Sequence, residues 1–586
     1  MATDLLLKIE QCKELSSTAK SNIITWLTHE KFSAYLSELE GLIQNKEWQL
    51  LEDAFFRVIP FGTGGRRGTV GIGSNRINDV TVGEVAQAVC IYLSEVDDRA
   101  KEKGVVIAYD SRNTSRYLTE LFAGICAANG YRVYVYKDVR STPQLSFSVR
   151  MLGTAAGIVV SASHNPSPDN GVKVYWNDGG QMVPPYDKEL LAVAEGIEVI
   201  NTMSFSGGLK KQLIVELEGD ADEAYYQAVL HQAKQTKEKA AIIAYSPLHG
   251  AGRSSVYPVI QRAGFDIRLL EEQANYDGNF TNVTNHIANP EVPEASDKVV
   301  AFAKAQKCDI AITTDPDADR LGVVVTPQDK PEQYLTGNQT SVLIAYNILE
   351  NLKKAGKLKK HQFIGKTIVT TDMLYPLAKE YGVEVKGDLL VGFKYIGELI
   401  KLFEDEGKQE FLFGGEESYG GLVGTYARDK DAASSALMIA ELASSAKAEG
   451  KTLIDVLDEL YEQYGYYHET LSATSYPGAD GFKVMKHIMN SLRSHPPAEI
   501  AGMKVVRVRD YITGTEIKDR AEDVLRFELT EDGSDRVTIR PSGTEPKIKI
   551  YVQTKTEVLA ELEEAKKKGT AKADQLTAAS KAFLTQ

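Results

Sequence analysis

Cysteine is scarce in this chain. Four occur in 586 residues, Cys12, Cys90, Cys126 and Cys308, and none forms a C-x-x-C pair. Such scatter fits reduced structural thiols and leads to the expectation of a cytoplasmic protein. Long apolar runs are missing: no stretch approaches the roughly 20 residues of a membrane span, so no membrane partner is expected. An excess of positive charge is missing too. Lys and Arg number 67 against 81 Asp and Glu, a net charge of −14 at pH 7. Holding a nucleic-acid backbone needs a basic face, so nucleic acid is not the expected partner. A phosphorylated small molecule stays open, because a local basic pocket can sit in an acidic protein. The first residues, MATDLLLKIEQ, lack a basic segment followed by an apolar one, and no signal peptide is read there. No low-complexity linker interrupts the chain, which predicts closely packed domains.

What is present is ordinary for a soluble globular protein: 43% hydrophobic and 25% charged residues. The length exceeds one core and predicts about three to five domains. Residues 1 to about 56 read as helices, with Leu5, Leu6 and Ile9, then Ile23, Trp26 and Leu27, at helical spacing. Beyond them short apolar runs end in polar turns and pass into helical stretches. Val105-Val106-Ile107-Ala108-Tyr109 meets Asp110-Ser111-Arg112, and Ile242-Ile243-Ala244-Tyr245 meets Ser246-Pro247-Leu248. Ile310-Ala311-Ile312 leads to Asp315, and Ile368-Val369 to Thr371-Asp372. Repeated strand, loop and helix mean α/β domains with parallel or mixed sheets. The shared Ala-Tyr ending of the first two runs hints at a repeated domain. After about residue 464 the pattern changes. Leu525, Phe527 and Leu529 alternate with Arg526, Glu528 and Thr530, Asp532-Gly533 suits a hairpin turn, and the last residues read as helix.

Five segments could carry chemistry. Ser161-Ala162-Ser163-His164-Asn165-Pro166 follows a buried-type strand, and Asn-Pro places it on an exposed loop. A serine there can carry a phosphate, although a Ser-His pair alone also suits a turn. Asp315-Pro316-Asp317-Ala318-Asp319-Arg320 sets three carboxylates at alternate positions, a hard oxygen set that suits Mg²⁺. Arg320 beside them could hold a phosphate oxygen. A solvated acidic turn, or the aspartate nucleophile of a haloacid-dehalogenase-type phosphatase, fits the same run, but the Asp-x-Asp-Gly-Thr continuation is absent. Gly414-Gly415-Glu416-Glu417-Ser418-Tyr419-Gly420 offers an acceptor and a donor to sugar hydroxyls. Arg540-Pro541-Ser542-Gly543-Thr544-Glu545-Pro546 suits a phosphate cradle. Phe61-Gly62-Thr63-Gly64-Gly65-Arg66-Arg67-Gly68 is glycine-rich but lacks the Gly-Lys-Ser/Thr ending of a nucleotide P-loop, so ATP is not expected.

Together and in this order, the segments resemble the α-D-phosphohexomutase superfamily from about Phe61 to Tyr551. The resemblance implies the α/β class, with a four-domain phosphohexomutase-like architecture. Three α/β domains with mixed sheets and a C-terminal α+β domain surround a central cleft, one loop per domain. The implied divisions are 1–210 (helical extension plus serine loop), 211–330 (metal loop), 331–463 (sugar loop) and 464–586 (phosphate loop). Ser163 then looks like the serine phosphorylated in the resting enzyme. Asp315, Asp317 and Asp319 look like Mg²⁺ ligands, with the Ser163 phosphate as a further one. Glu416 and Ser418 look like readers of sugar hydroxyls, and Lys394 resembles a substrate-contacting lysine. Arg540, Ser542, Gly543 and Thr544 look like the site for the non-reacting phosphate. Lys173 and Arg67 match positions of proton transfer or charge stabilisation, and His164 supports the serine loop.

The implied activity is transfer of a phosphoryl group within a sugar phosphate, with glucose 1,6-bisphosphate as intermediate and activator. Small sugar phosphates are the implied partners, and a monomer or dimer is the implied state. Gly-Glu-Glu-Ser-Tyr-Gly resembles glucose-type members, whereas mannose-handling members usually carry Gly-Glu-Met-Ser and phosphoglucosamine mutases Gly-Glu-Gln-Ser. Pentose or mannose phosphates as substrates, a sugar-bisphosphate synthase and a non-catalytic sensor remain as alternatives. Lys173 can act as a base only where cations or burial lower its pKa. A cleft that excludes water is expected, with the C-terminal domain as its lid.

Overall fold

A computed structural model describes residues 2–62, 65–234, 239–476, 481–513, 520–543 and 546–584. The helices Ala2–Gln11, Ser17–Thr28, Leu36–Gln44 and Trp48–Phe55 form a small bundle. Ile9, Ile23, Trp26, Leu39 and Leu51 fill its centre, and the Trp26 ring lies 4.4 Å from Phe32 and 5.3 Å from Phe55. The bundle docks on the next unit through Lys31, whose Nζ meets Glu84 at 2.6 Å and the carbonyl of Ile197 at 2.7 Å.

Three successive units share one plan. In the first, strand Val105–Tyr109 is central, Val133–Tyr136 and Ala156–Val160 flank it in parallel, and Asp169–Trp176 runs antiparallel beyond Ala156–Val160. The second repeats this with Ile242–Ser246, Asp266–Leu269, Ile310–Thr314 and Leu321–Val325. The third repeats it with Gln362–Thr367, Glu384–Leu389, Glu410–Gly415 and Gly421–Val423. Helices cover both faces of the central strands, so Val105–Tyr109 and Ile310–Thr314 are buried along their whole length. Each Val or Ile so placed stabilises the fold by roughly 1.5–3 kcal/mol relative to exposure.

The third strand unit corrects one sequence reading. Ile368-Val369 is not the strand: the strand is Gln362–Thr367 and ends before them. Its apolar signal is weak because Gln362 and Lys366 are buried in it, Lys366 held by Asp372 at 3.1 Å. Ile368 and Val369 instead meet Tyr511, Val524 and Tyr551 of the C-terminal unit.

That last unit is an antiparallel sheet in the order Tyr466–Ser475, Lys547–Thr556, Arg536–Pro541, Leu525–Glu528, Arg507–Asp510. Helices Gly481–Ser494 and Leu562–Lys581 cover its apolar face, with Met485, Phe527, Ile550 and Leu576 between. The polar positions of Leu525–Glu528 are buried as well. Their face is the contact with the third unit, where Arg526 Nη2 donates to Ile368 O at 2.9 Å and Arg536 pairs with Asp372. Arg57 stacks over Phe482 at 4.4 Å, so the first and last units also touch.

Glu469 lies in the contact between the last two units, and its carboxyl is pushed up to about 7 by burial, with Asp372 adding to the effect while Thr371 and Arg536 oppose it. The folded protein therefore keeps a proton that the unfolded chain releases near 4.5. This contribution to stability is complete below the lower value and is lost as pH rises through about 7. Glu469→Gln should make melting less sensitive to pH between about 6 and 8, by about 1–2 kcal/mol. Thermal denaturation at both pH values checks it, and equal slopes for the two proteins would contradict it.

Candidate active site

The repeated plan places three loops at equivalent points. Each joins the third strand of its unit to the antiparallel fourth: the Ser163 loop, the Asp315–Arg320 loop and the Glu416–Gly420 loop. Each contains one non-glycine residue in the left-handed region: Ser163 at φ 50°, Ala318 at 52° and Tyr419 at 67°. Such a conformation costs on the order of 1–2 kcal/mol and persists where surrounding contacts enforce it. The loops meet. Ser163 Oγ donates to Asp315 Oδ2 at 2.6 Å, and Leu321 N donates to Tyr419 O at 2.8 Å. Thr142, at the start of a helix of the first unit, donates its N–H to Asp317 O at 3.0 Å and its hydroxyl to Asp317 Oδ2 at 2.8 Å. The exposed loop expected for Ser163 is corrected here. The serine is only 3% exposed, because the aspartate loop of the second unit covers it.

Asp315, Asp317 and Asp319 are all buried, each offering an oxygen within 4.8 Å of the others. Asp315 Oδ1 accepts the N–H groups of Asp319 and Arg320. Asp317 Oδ1 and Asp319 Oδ1 are buried without a hydrogen-bond partner among the described residues. Burial, then repulsion by Asp317 and Asp319, pushes the Asp315 carboxyl far up. Burial also pushes at Asp317, but Lys173 and hydrogen bonds hold it far down. Three hard oxygen donors, two of them orphaned, fit a small divalent cation such as Mg²⁺.

A shell of cations surrounds these acids. Lys173 Nζ donates to Asp317 Oδ2 at 2.8 Å and lies 3.9 Å from Asp319. Burial alone would lower Lys173, but Asp317, Asp319 and Asp429 more than offset it and hold the ammonium above its ordinary value. Arg67 sits on Gly65–Thr69, where Gly65 pairs with Lys173 and Arg67 with Gly171. A Cβ at Gly65 would lie 1.9 Å from the Val172 carbonyl, so only glycine permits this approach. Arg66, its neighbour, is buried against Glu84 at 2.8 Å. His164 Nδ1 lies 3.2 Å from Ser163 Oγ, and burial, with Arg320, Arg67 and Lys549 nearby, keeps the imidazole neutral. Arg320 is held by Glu291. Burial lifts Glu416 to about 7 despite Lys430. Ser418 lies two residues beyond Glu416 on the same loop, partly buried.

Lys394 Nζ lies 3.4 Å from Asp187 Oδ2, bridging the third unit to the first. Arg540 Nε donates to Glu522 Oε2 at 3.4 Å, and Ser542 N donates to Lys547 O at 2.7 Å. Gly543 is exposed beside them, and Thr544 lies outside the described residues. Several site residues escaped the sequence reading. Lys430 sits 3.2 Å from Asp319, 3.0 Å from Asp429 and 3.8 Å from Glu416, and so ties two loops together. Lys549 stands opposite Arg540 in the sheet and within electrostatic reach of Glu291, Glu417 and His164. The charged run Arg428-Asp429-Lys430-Asp431 and the alternation Lys547-Ile548-Lys549 were the only local signals.

The chain matches family models of phosphoglucomutase/phosphomannomutase. The α/β/α domains I, II and III match residues 58–199, 223–328 and 336–464, and the C-terminal domain matches 503–567. It is 34% identical to the phosphoglucomutase of Staphylococcus aureus (strain bovine RF122 / ET3-1), over 86% of this chain and 91% of that one. The fold is similar to a phosphoglucomutase/phosphomannomutase family protein of Burkholderia thailandensis, at TM-score 0.62 and 19% identity over 88% of this chain and 97% of that one. It is similar too to the open form of the Paramecium phosphoprotein parafusin, a phosphoglucomutase, at TM-score 0.62 and 19% identity, over 89% and 98%. No helix among the described residues is long and apolar enough to cross a membrane. The chain belongs to the phosphoglucomutase/phosphomannomutase family and is a phosphotransferase of the isomerase class.

Proposed function

We propose that this enzyme interconverts glucose 1-phosphate and glucose 6-phosphate through a phosphoryl group carried on Ser163. The observation that carries the reading is the buried contact between Ser163 Oγ and Asp315 at 2.6 Å, inside an acid triad ringed by Lys173, Arg320 and Lys430. A phosphate on Ser163 would bring further negative charge against that triad. A divalent cation held by Asp315, Asp317 and Asp319 would offset it and stabilise charge on the transferring group.

The chain's own residues do the rest. A free sugar hydroxyl attacks the phosphorus, the bond from phosphorus to Ser163 Oγ breaks, and the proton lost by the sugar hydroxyl is balanced by the one that the freed serine oxygen takes up. Glucose 1,6-bisphosphate results, turns in the cleft, and returns its other phosphate to Ser163. Such transfer rests mainly on positioning and electrostatics. Lys173, tied to Asp317, serves as a charge donor to the phosphoryl oxygens, with Arg67 beside it. Glu416 and Ser418 read the sugar hydroxyls in either orientation. Arg540, Ser542, Gly543 and Thr544 hold the idle phosphate, with Lys549 next to Arg540, and Lys394 contacts substrate from the third unit. His164, neutral, supports the Ser163 turn. Curated relatives named phosphoglucomutase support glucose as the preferred sugar.

Side-by-side kcat/KM values for glucose 1-phosphate, mannose 1-phosphate and ribose 1-phosphate, with Mg²⁺ and a trace of glucose 1,6-bisphosphate, test the substrate. Glucose 1-phosphate should lead by at least about 10-fold. Preference for ribose or mannose 1-phosphate would overturn the sugar assignment, and net bisphosphate production would replace the mutase with a synthase.

A further inference from the structure

The Ser163 turn needs its carbonyl groups satisfied. The left-handed Ser163 and the Asn165-Pro166 pair after it turn several C=O groups toward one side of the loop, where each calls for a donor. One side chain meets four of them. Arg112 Nη2 donates to Ser163 O at 2.6 Å and Asn165 O at 2.5 Å. Its Nη1 donates to Pro166 O at 2.7 Å and Asp169 O at 2.8 Å. Arg112 is 3% exposed, and its Nε lies 3.2 Å from the carboxylate of Asp110, itself 1% exposed. Asp110 in turn accepts from Ser115 Oγ at 2.6 Å and Arg112 N at 3.0 Å.

The same guanidinium faces the second unit. It stacks over Phe280 at 5.3 Å, and its neighbour Asn113 donates to Asn279 Oδ1 at 2.8 Å. A Cβ on Gly278 would lie 2.4 Å from Asn113 N, so the two backbones meet closely here. Arg112 therefore touches both the turn that carries Ser163 and the unit that carries the aspartates.

Resting on the reading that Ser163 carries the phosphoryl group, we infer that Arg112 is a positioning residue. It locks the Ser163 turn in its left-handed conformation and sets the serine oxygen against Asp315, without touching substrate. Lysine cannot replace it, because an ammonium is a point charge and cannot spread donors over four carbonyls in one plane. Displacements near 1 Å at a reacting atom cost on the order of 100-fold in rate.

The test compares wild type with Arg112→Lys, using glucose 1,6-bisphosphate to load Ser163 and glucose 1-phosphate for turnover. Arg112→Lys should lose roughly 100-fold in kcat and in the rate of Ser163 phosphorylation, with KM within about threefold. Hydrogen exchange of the amides around Ser163 should rise in the variant. A kcat within about threefold of wild type, or a loss that falls on KM alone, would overturn the inference. Should Arg112→Lys not fold, Asp110→Asn decides: the four carbonyl bonds stay but their anchor loosens. About 10-fold lower kcat is then expected, and wild-type kcat would overturn the role. Wild type that takes no phosphate on Ser163 would instead overturn the underlying reading, and the inference with it.

Discussion

Ser163→Ala should lose at least about 1000-fold in mutase turnover while keeping its fold. The serine oxygen is the only atom of that side chain able to hold the phosphoryl group, and it is the one that stands 2.6 Å from Asp315. Alanine tolerates φ 50° about as poorly as serine, so the backbone cost is nearly unchanged. The hydrogen bonds of the hydroxyl with Asp315 and His164 are lost, each worth roughly 1 kcal/mol, a small effect on melting for a chain of this size. Normal melting with absent turnover separates chemistry from folding. Substrate KM cannot be read without turnover, so binding of glucose 6-phosphate should be followed by titration and found near wild type.

The second large effect concerns the aspartate triad. Chelation of divalent ions should lower turnover by at least about 100-fold, and Mg²⁺ should restore it. Asp315→Asn should lose that restoration at ordinary Mg²⁺ concentrations. Stability gives an independent sign. Without divalent ions, Asp315 stands in buried repulsion with Asp317 and Asp319, so its neutral replacement should melt as high as wild type or higher at about pH 8. With Mg²⁺ present, wild type should gain stability by mass action and the variant should not. The order of the two melting curves should therefore reverse on adding Mg²⁺. Wild type that melts identically with and without the ion would sink the metal assignment.

The sequence exposed the parts of this site that are contiguous. Ser163, the aspartates and Glu416 each lie in a short loop after an apolar strand, and Arg540 lies at the end of the strand Arg536–Pro541, so their local chemistry can be read without knowing the fold. What escaped depends on folding. Lys430 reaches Asp319 across units, and Arg112 reaches the Ser163 carbonyls from 51 residues away. Lys549 gains meaning only from its register opposite Arg540. The repeat was visible in two units because their central strands are apolar and end alike. Buried Gln362 and Lys366 hid the third. The exposed Ser163 loop was misplaced for a related reason: Asn-Pro fixes a turn, but only the neighbouring unit decides whether water reaches it.

The most direct measurement is the site of phosphate on the protein. Purified enzyme incubated with glucose 1,6-bisphosphate and Mg²⁺ is digested and its peptides analysed by mass spectrometry. One phosphoryl group on Ser163, lost again when excess glucose 6-phosphate is added, is the expected result. No phosphopeptide, or phosphate on another residue that turns over at the catalytic rate, would contradict a mechanism built on Ser163.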